Sequence, residues 1–236
     1  MISLYKFITE AVSEKTIQKF KQTYKRKYDS VNHTIKPKHR TLVIINCSQT
    51  KSDECKEHSQ KAIDAYTGQG TDWIRDAYKN DNIDIMICSG GYGLISADTK
   101  IDYYDDVFHE FPDSARKEMS DFLKYNEDLV KLIKKGNYNR IVFAISSVWS
   151  NLLDYKEISE AAGDKCELID LTNEDTPAEY TKIPLFSIST LRRLQAGRFN
   201  CRYKFIQLLS HEMKNNGDNI DIKKFAKKCS GDDLKE

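Results

Sequence analysis

Between residues 41 and 56 the chain reads TLVIINCSQTKSDECK, an unbroken apolar run that delivers Cys47, Ser48 and Lys51 to one place. A second stretch, CSGGYGLISADTKIDYYDDVF (88–108), offers Ser89, Gly90, Tyr92 and Gly93, followed by Tyr104 and the carboxylates Asp98, Asp102, Asp105 and Asp106. A third, AYTG (65–68), adds Tyr66 and Gly68. A lysine can neutralise a phosphate or act as a covalent nucleophile. A carboxylate can stabilise developing positive charge or serve as a general base. A tyrosine ring can stack on a base drawn out of its helix, and two glycines after a strand let backbone amides approach a ligand closely. Cleavage of an N-glycosidic bond needs that combination: charge stabilisation on the sugar, a positioned water or amine, and a hold on the departing base. Asp102 and Asp105 are the candidate carboxylates and Lys51 their cationic partner. Asp102, nine residues beyond Gly93, is placed ahead of Asp105. Cys47 is read as a small residue that shapes the loop, because the five histidines (33, 39, 58, 109, 211) show no spacing that would pair one with it as a base.

Positioning these groups on one edge requires a sheet. The apolar runs TLVIIN (41–46), IDIMIC (83–88), RIVFAI (140–145) and CELIDL (166–171) have the character of strands buried on both faces. Helical segments are expected between them, around 58–80, 113–135 and 147–162. Strand alternating with helix implies right-handed crossovers and a mostly parallel sheet flanked by helices, an α/β class in which every strand ends at the same edge. Off that edge come CSQTK, SGGYGLIS, SSVWS and TNEDT, so Ser146 and Ser147 join the candidate pocket residues. Open α/β sheets bind ligands in the crevice beyond the strand carboxyl ends. The glycine fingerprints of dinucleotide and NTP sites do not occur, no CxxC pair or Cys/His spacing suggests zinc, and neither cofactor nor metal is expected.

Charge separates the ends from the middle. The net charge is only +1, with 31% charged and 39% hydrophobic residues, so attraction to a polyanion must come from local patches. From Lys15 to Arg40 there are nine Lys or Arg against the single acid Asp29, and residues 3–28 have apolar positions at helical spacing. Near the other end, Arg192, Arg193, Arg198, Arg202 and Lys204 fall within 13 residues, with Asn200 among them and Gly197 dividing a helix, a turn and a second helix. Arginine is suited to bidentate phosphate contacts, and these residues form a candidate nucleic-acid face. The expected organisation is a basic helical arm (1–39), an α/β core (40–186) and a basic helical segment (187–236) packed on it. No stretch has the roughly 20 apolar residues of a membrane span. The six cysteines are read as reduced thiols. A monomer in the cytoplasm, with DNA as partner, is the expectation.

The order CSQTK, AYTG, SGGYGLI (89–95) and DYYD (102–105) resembles a bacterial and phage family built on C-S-x-x-K, Y-T/S and S-A-x-Y-G-L-[IL], followed by an acid, a tyrosine and an acid. It is also distantly similar to the peroxide-stress YaaA family, whose corresponding segments read S-P-A-K-T, Y-T-G and S-G-x-Y-G-L-L. The likeness covers about residues 42–108, and SISTLRRLQAGRFNCRYKFIQLL (187–209) is similar in position and character to the basic helical segment near that family's C-terminus. The Cys-Ser and lysine element further resembles archaeosine synthase, where it belongs to a uracil-DNA-glycosylase-like domain. This chain lacks the Pro-Ala pair of YaaA and the Lys-Pro-Tyr continuation of archaeosine synthase. The resemblance implies nucleic-acid binding with chemistry on a base or nucleoside, most concretely a DNA glycosylase acting on a modified base, with Asp102 at the acid that precedes the tyrosine. A non-catalytic DNA-binding stress or defence protein, and an enzyme of free nucleosides or nucleotide sugars, remain open alternatives.

Overall fold

The computed structural model describes residues 14–22, 41–104, 108, 111–172 and 176–230. Asp105, Asp106 and most of the basic stretch between Lys15 and Arg40 lie outside the described residues. Of that stretch, residues 14–22 form helix α1, which buries Ile17 and Phe20 on the core. Phe20 meets Phe111 edge-on at 6.2 Å, and Lys21 pairs with Glu118 at 2.6 Å.

Six strands form the main sheet: β1 (Thr41–Asn46), β3 (Ile83–Ser89), β4 (Gly93–Ser96), β6 (Arg140–Ala144), β7 (Glu167–Asp170) and β8 (Thr181–Lys182), in the order β4-β3-β1-β6-β7-β8. Every neighbouring pair is parallel except β3 with β4. β2 (Gln60–Lys61) and β5 (Lys100–Ile101) make a small separate ribbon. The apolar runs form the centre because β1, β3 and β6 are covered on both faces; Leu42, Val43, Ile44, Ile85 and Val142 are fully buried. The helices are α2 (Asp53–Glu57), α3 (Ala62–Ala65), α4 (Thr71–Tyr78), α5 (Asp113–Leu123), α6 (Tyr125–Lys135), α7 (Ser147–Ser150), α8 (Tyr155–Ala162), α9 (Ile188–Leu194), α10 (Cys201–Asn216) and α11 (Ile222–Ser230).

The α/β class and the four expected strands are present, whereas three long helices are each broken. The segment around 58–80 contains β2, α3 and α4, because Lys51 bridges to Tyr66 and Gly70 takes a left-handed φ of 82° just before α4. The segment 113–135 divides at Lys124, whose φ of 58° ends α5 and begins α6 without any glycine to announce it. The segment 147–162 divides where the Asp154 carboxylate caps α8 by accepting from the amide of Glu157 at 3.0 Å. The SGGYGLIS stretch is a loop only at its start. Ser89 pairs with Gly93, so the chain reverses over three residues and Gly93–Ser96 returns as the antiparallel edge strand. Gly93 has φ 83°, and a Cβ there would stand 2.9 Å from the carbonyl oxygen of Leu123, which excludes other residues.

The connection out of β1 leads to β3 on one side, and the connection out of β6 leads to β7 on the other. The carboxyl ends of β1 and β6 therefore flank a topological switch point, where a crevice opens without any special loop. α4 and α10 close over it. Their contact is polar on the outside: the Asp76 carboxylate accepts from Gln207 at 2.9 Å and from His211 at 2.8 Å. The hydrogen bonds from Gln207 and then His211 hold the Asp76 carboxyl below its usual value of 3.8. A depressed carboxylate contributes stability above its unfolded pKa and loses it as the pH falls through the folded one. Asp76→Asn should therefore cost stability at neutral pH, and the difference from wild type should shrink below about pH 4. Urea denaturation of both proteins across that range measures it, and a difference that stays constant in acid would contradict the assignment.

Candidate functional site

Asn46 ends β1, and its polar atoms organise the crevice. The side-chain oxygen accepts from the amide of Ser146 at 3.1 Å, the side-chain NH2 donates to the Cys47 carbonyl at 3.0 Å, and the Asn46 carbonyl accepts from the Tyr203 hydroxyl at 3.1 Å. Three segments are thereby joined: the loop after β1, the loop after β6 and the first turn of α10. Between them lies a cleft of about 660 Å³. One wall is Asn46 to Thr50, a second is Gly68, Gln69 and Thr71, and Ala144 with Ser146 forms the floor; Phe199, Arg202 and Tyr203 close the remaining side.

Two of these walls are locked to each other. The Thr67 amide donates to the Thr50 carbonyl at 3.0 Å, and a Cβ on Gly68 would come within 2.6 Å of the Ser48 hydroxyl oxygen. That hydroxyl accepts from the Thr50 amide at 3.1 Å, which tightens the loop. Cys47 is buried, and its sulfur accepts from the Gly90 amide at 3.4 Å. Arg202 spans the fourth side: its Nε donates to the Leu171 carbonyl at 2.9 Å and its Nη2 to the Thr172 carbonyl at 3.3 Å, while its guanidinium lies 4.8 Å from the ring of Phe186. Arg202 is the single formally charged side chain among the described residues that line the cleft.

The other sequence-expected residues assemble in a second, buried cluster. The hydroxyls of Tyr66, Ser89 and Tyr104 form a closed triangle with sides of 2.8, 3.0 and 3.0 Å, in which each can donate once and accept once. Lys51, 7% exposed, places its ammonium 3.8 Å from the centre of the Tyr104 ring and donates to the Gln49 carbonyl at 3.3 Å. A cation over a ring that is largely shielded from water gains about 1–2 kcal/mol. The hydroxyl of Tyr92 accepts from the amide of Asp102 at 3.0 Å, fixing that residue's backbone. The carboxylate of Asp102 itself is exposed and accepts from the Ser59 hydroxyl.

The structure thus divides what the sequence grouped. Cys47, Ser48, Gly68, Ser146 and Arg202 line the cleft. Tyr66, Ser89, Gly90, Tyr92 and Tyr104 stand behind its wall with Lys51, and Gly93 belongs to the hairpin strand. Asp102 does not share the cleft with Ser48, as its sequence position suggested, because Tyr92 and Ser59 hold it on the far side of the tyrosine cluster. Ser147 begins α7 and does not line the cleft. Asp105 lies outside the described residues. Arg192, Arg193 and Arg198 are exposed, Asn200 accepts from the Gly197 amide at 2.8 Å, and Lys204 lies 5.0 Å from the Trp73 ring and donates to Gln207. Of the cysteines, Cys88 is a core residue whose thiol is pushed up to about 12 by burial.

Asn46, Gln49, Gln69, Phe199 and Tyr203 were not identifiable from residue type. Gln49 and Phe199 sat inside motifs read for their Ser, Lys and Arg, and Asn46 looked like the end of an apolar strand. Among the described residues no three His, Cys, Asp or Glu side chains come together as a metal site.

Asn46→Leu removes both side-chain hydrogen bonds while keeping the volume. It should cost about 1–3 kcal/mol, since each bond contributes about 1 kcal/mol and the Ser146 amide loses its acceptor. Chemical denaturation reads this directly, and a loss below about 0.5 kcal/mol would show that the two loops are held together by other contacts.

Comparison with protein-family models, curated proteins and solved structures finds no match to this chain.

Proposed function

We propose that the protein binds DNA and takes a single nucleotide into the switch-point cleft to act on its N-glycosidic bond. The observation that carries this reading is Phe199. Its ring is 89% exposed on the rim of the cleft, in the turn between α9 and α10, with Arg198 beside it. An apolar ring left in water at the mouth of a polar cleft is suited to stacking on a base, which is worth about 1–3 kcal/mol. The exposed Arg192 and Arg198 are suited to flanking phosphates.

The reaction would break the bond between C1′ and the base nitrogen. Water adds its oxygen to C1′ and gives up a proton, and the base departs with the bonding pair and is protonated. A carboxylate must face the sugar as positive charge develops there. Asp102 is the carboxylate the sequence offers for that role; its side chain stands exposed beside Ser59 and outside the described cleft lining, so the glycosidic reading requires the segment around it to bring it to the sugar when DNA is bound. A second reading, a DNA-binding protein without chemistry, is favoured by one specific observation: no carboxylate stands among the described cleft-lining residues.

Incubation with normal and modified DNAs, followed by mass spectrometry for released base and alkali treatment for abasic sites, separates the two. Base release by the wild type, abolished or slowed by about 10²- to 10⁴-fold in Asp102→Asn with DNA affinity retained, supports the glycosidic reading. No base release from any substrate leaves the binding reading. Affinity should also fall steeply with salt, and Arg198→Ala should reduce the log-log slope by about 0.9 if it contacts one phosphate. A flat salt response would count against DNA altogether.

A further inference from the structure

We infer that Gln49 and Gln69 are the residues that read the identity of the base, an inference that rests on the proposed entry of a nucleotide into this cleft. Both side chains are exposed, both line the cleft, and neither amide has a hydrogen-bond partner among the described residues. Their backbones are nevertheless fixed. Gln49 lies between Ser48, which bonds the Thr50 amide, and Thr50, whose carbonyl accepts from Thr67; its own carbonyl accepts from Lys51. Gln69 lies between Gly68, packed on Ser48, and Gly70 with its left-handed φ, and the Gly68 carbonyl accepts from the Thr71 amide at 3.2 Å and hydroxyl at 2.8 Å. The same contacts that lock the two loops together put the two amides on adjacent walls of one cleft.

The chemistry of the occupant follows from what else is there. Arg202, the one charged side chain among the described lining residues, spends its Nε and Nη2 on the carbonyls of Leu171 and Thr172. The cleft is consequently poor at holding a phosphate and offers a neutral ligand two primary amides, each with donors and an acceptor side by side. Adjacent donors and acceptors on a flat ring are what a nucleobase edge presents. A bidentate amide contact of this kind separates right from wrong bases by on the order of ten-fold or more. Phosphates remain outside, on the exposed arginines, and Phe199 covers the ring.

The test is binding of fluorescent single-stranded oligonucleotides, identical except for one central base in an otherwise abasic-spaced context, to wild type, to Gln49→Leu with Gln69→Leu, and to Phe199→Ala. Wild type should prefer one base over the least favoured by ten-fold or more. The double leucine variant should bring that ratio close to one, whereas Phe199→Ala should weaken all four bases together and keep the ratio. The isosteric pair Gln49→Glu with Gln69→Glu, which offers acceptors only, should move the preference toward bases with an exocyclic amino group and guards against loss of fold in the leucine variant. A ratio unchanged in both double variants, with Phe199→Ala still weakening binding, overturns the role of the glutamines and leaves the cleft assignment standing. Wild-type binding without base preference also overturns it. Failure of the wild type to bind any oligonucleotide overturns both readings.

Discussion

Asn46 is where the sheet becomes a site. As the last residue of β1 it pairs with Cys88 in β3, one residue beyond the last β1–β6 pair, Ile45 with Ala144. Its backbone carbonyl and side-chain amide then leave the sheet pattern and bond to Tyr203, Ser146 and Cys47. An amide side chain suits this role because it donates and accepts at once. An apolar residue there would leave the Ser146 amide without its acceptor, and an aspartate would set a negative charge against the Cys47 carbonyl. The crevice at the switch point is a consequence of topology; its shape is a consequence of this residue.

From that constraint comes a separation of electrostatic labour. Among the described residues the cleft lining is neutral and polar apart from Arg202, whose guanidinium bonds to backbone carbonyls, and further cations, Arg192, Arg193 and Arg198, lie exposed on α9 and the turn after it. The carboxylate and the lysine on which base chemistry would depend lie behind a wall of tyrosines. Burying Lys51 against Tyr104 rather than opening it to the cleft keeps the charge near the site without offering it as a direct ligand. On the proposed reading, a cleft of this polarity discriminates in favour of a base whose phosphates stay outside. It discriminates against a free nucleotide whose phosphates must enter with it.

The sheet was legible because β1, β3 and β6 are buried on both faces, which calls for short, mostly apolar runs, with Asp84 in β3 and Arg140 at the start of β6 as the charged exceptions. Loops at its carboxyl edge were legible for the same reason, since parallel strands must all end there. The helix breaks were not: Lys124 carries a positive φ with no glycine, and the Asp154 cap looks like any aspartate in a polar stretch. At the site, Cys47, Ser48 and Ser146 followed from strand ends, whereas Gly68 was singled out only by the AYTG motif. Asp102 is not among the described residues that line the cleft, and the course of the residues between Gly93 and Asp102 could not be read from their types. They form an edge strand and a ribbon that carry it away. Phe199 was overlooked because an aromatic residue in a basic segment is ordinarily a core residue, and only the fold shows it to be in water.

Photo-crosslinking of the intact protein to single-stranded DNA carrying one 5-iodouracil, mapped by mass spectrometry, addresses the location of the base most directly. Crosslinks at Phe199, with others confined to residues 46–50 and 68–71, are the result that cleft binding predicts. Crosslinks confined to α11, or spread along the exposed arginines with none at the cleft, would show that the chain binds the DNA backbone and that no base enters the cleft.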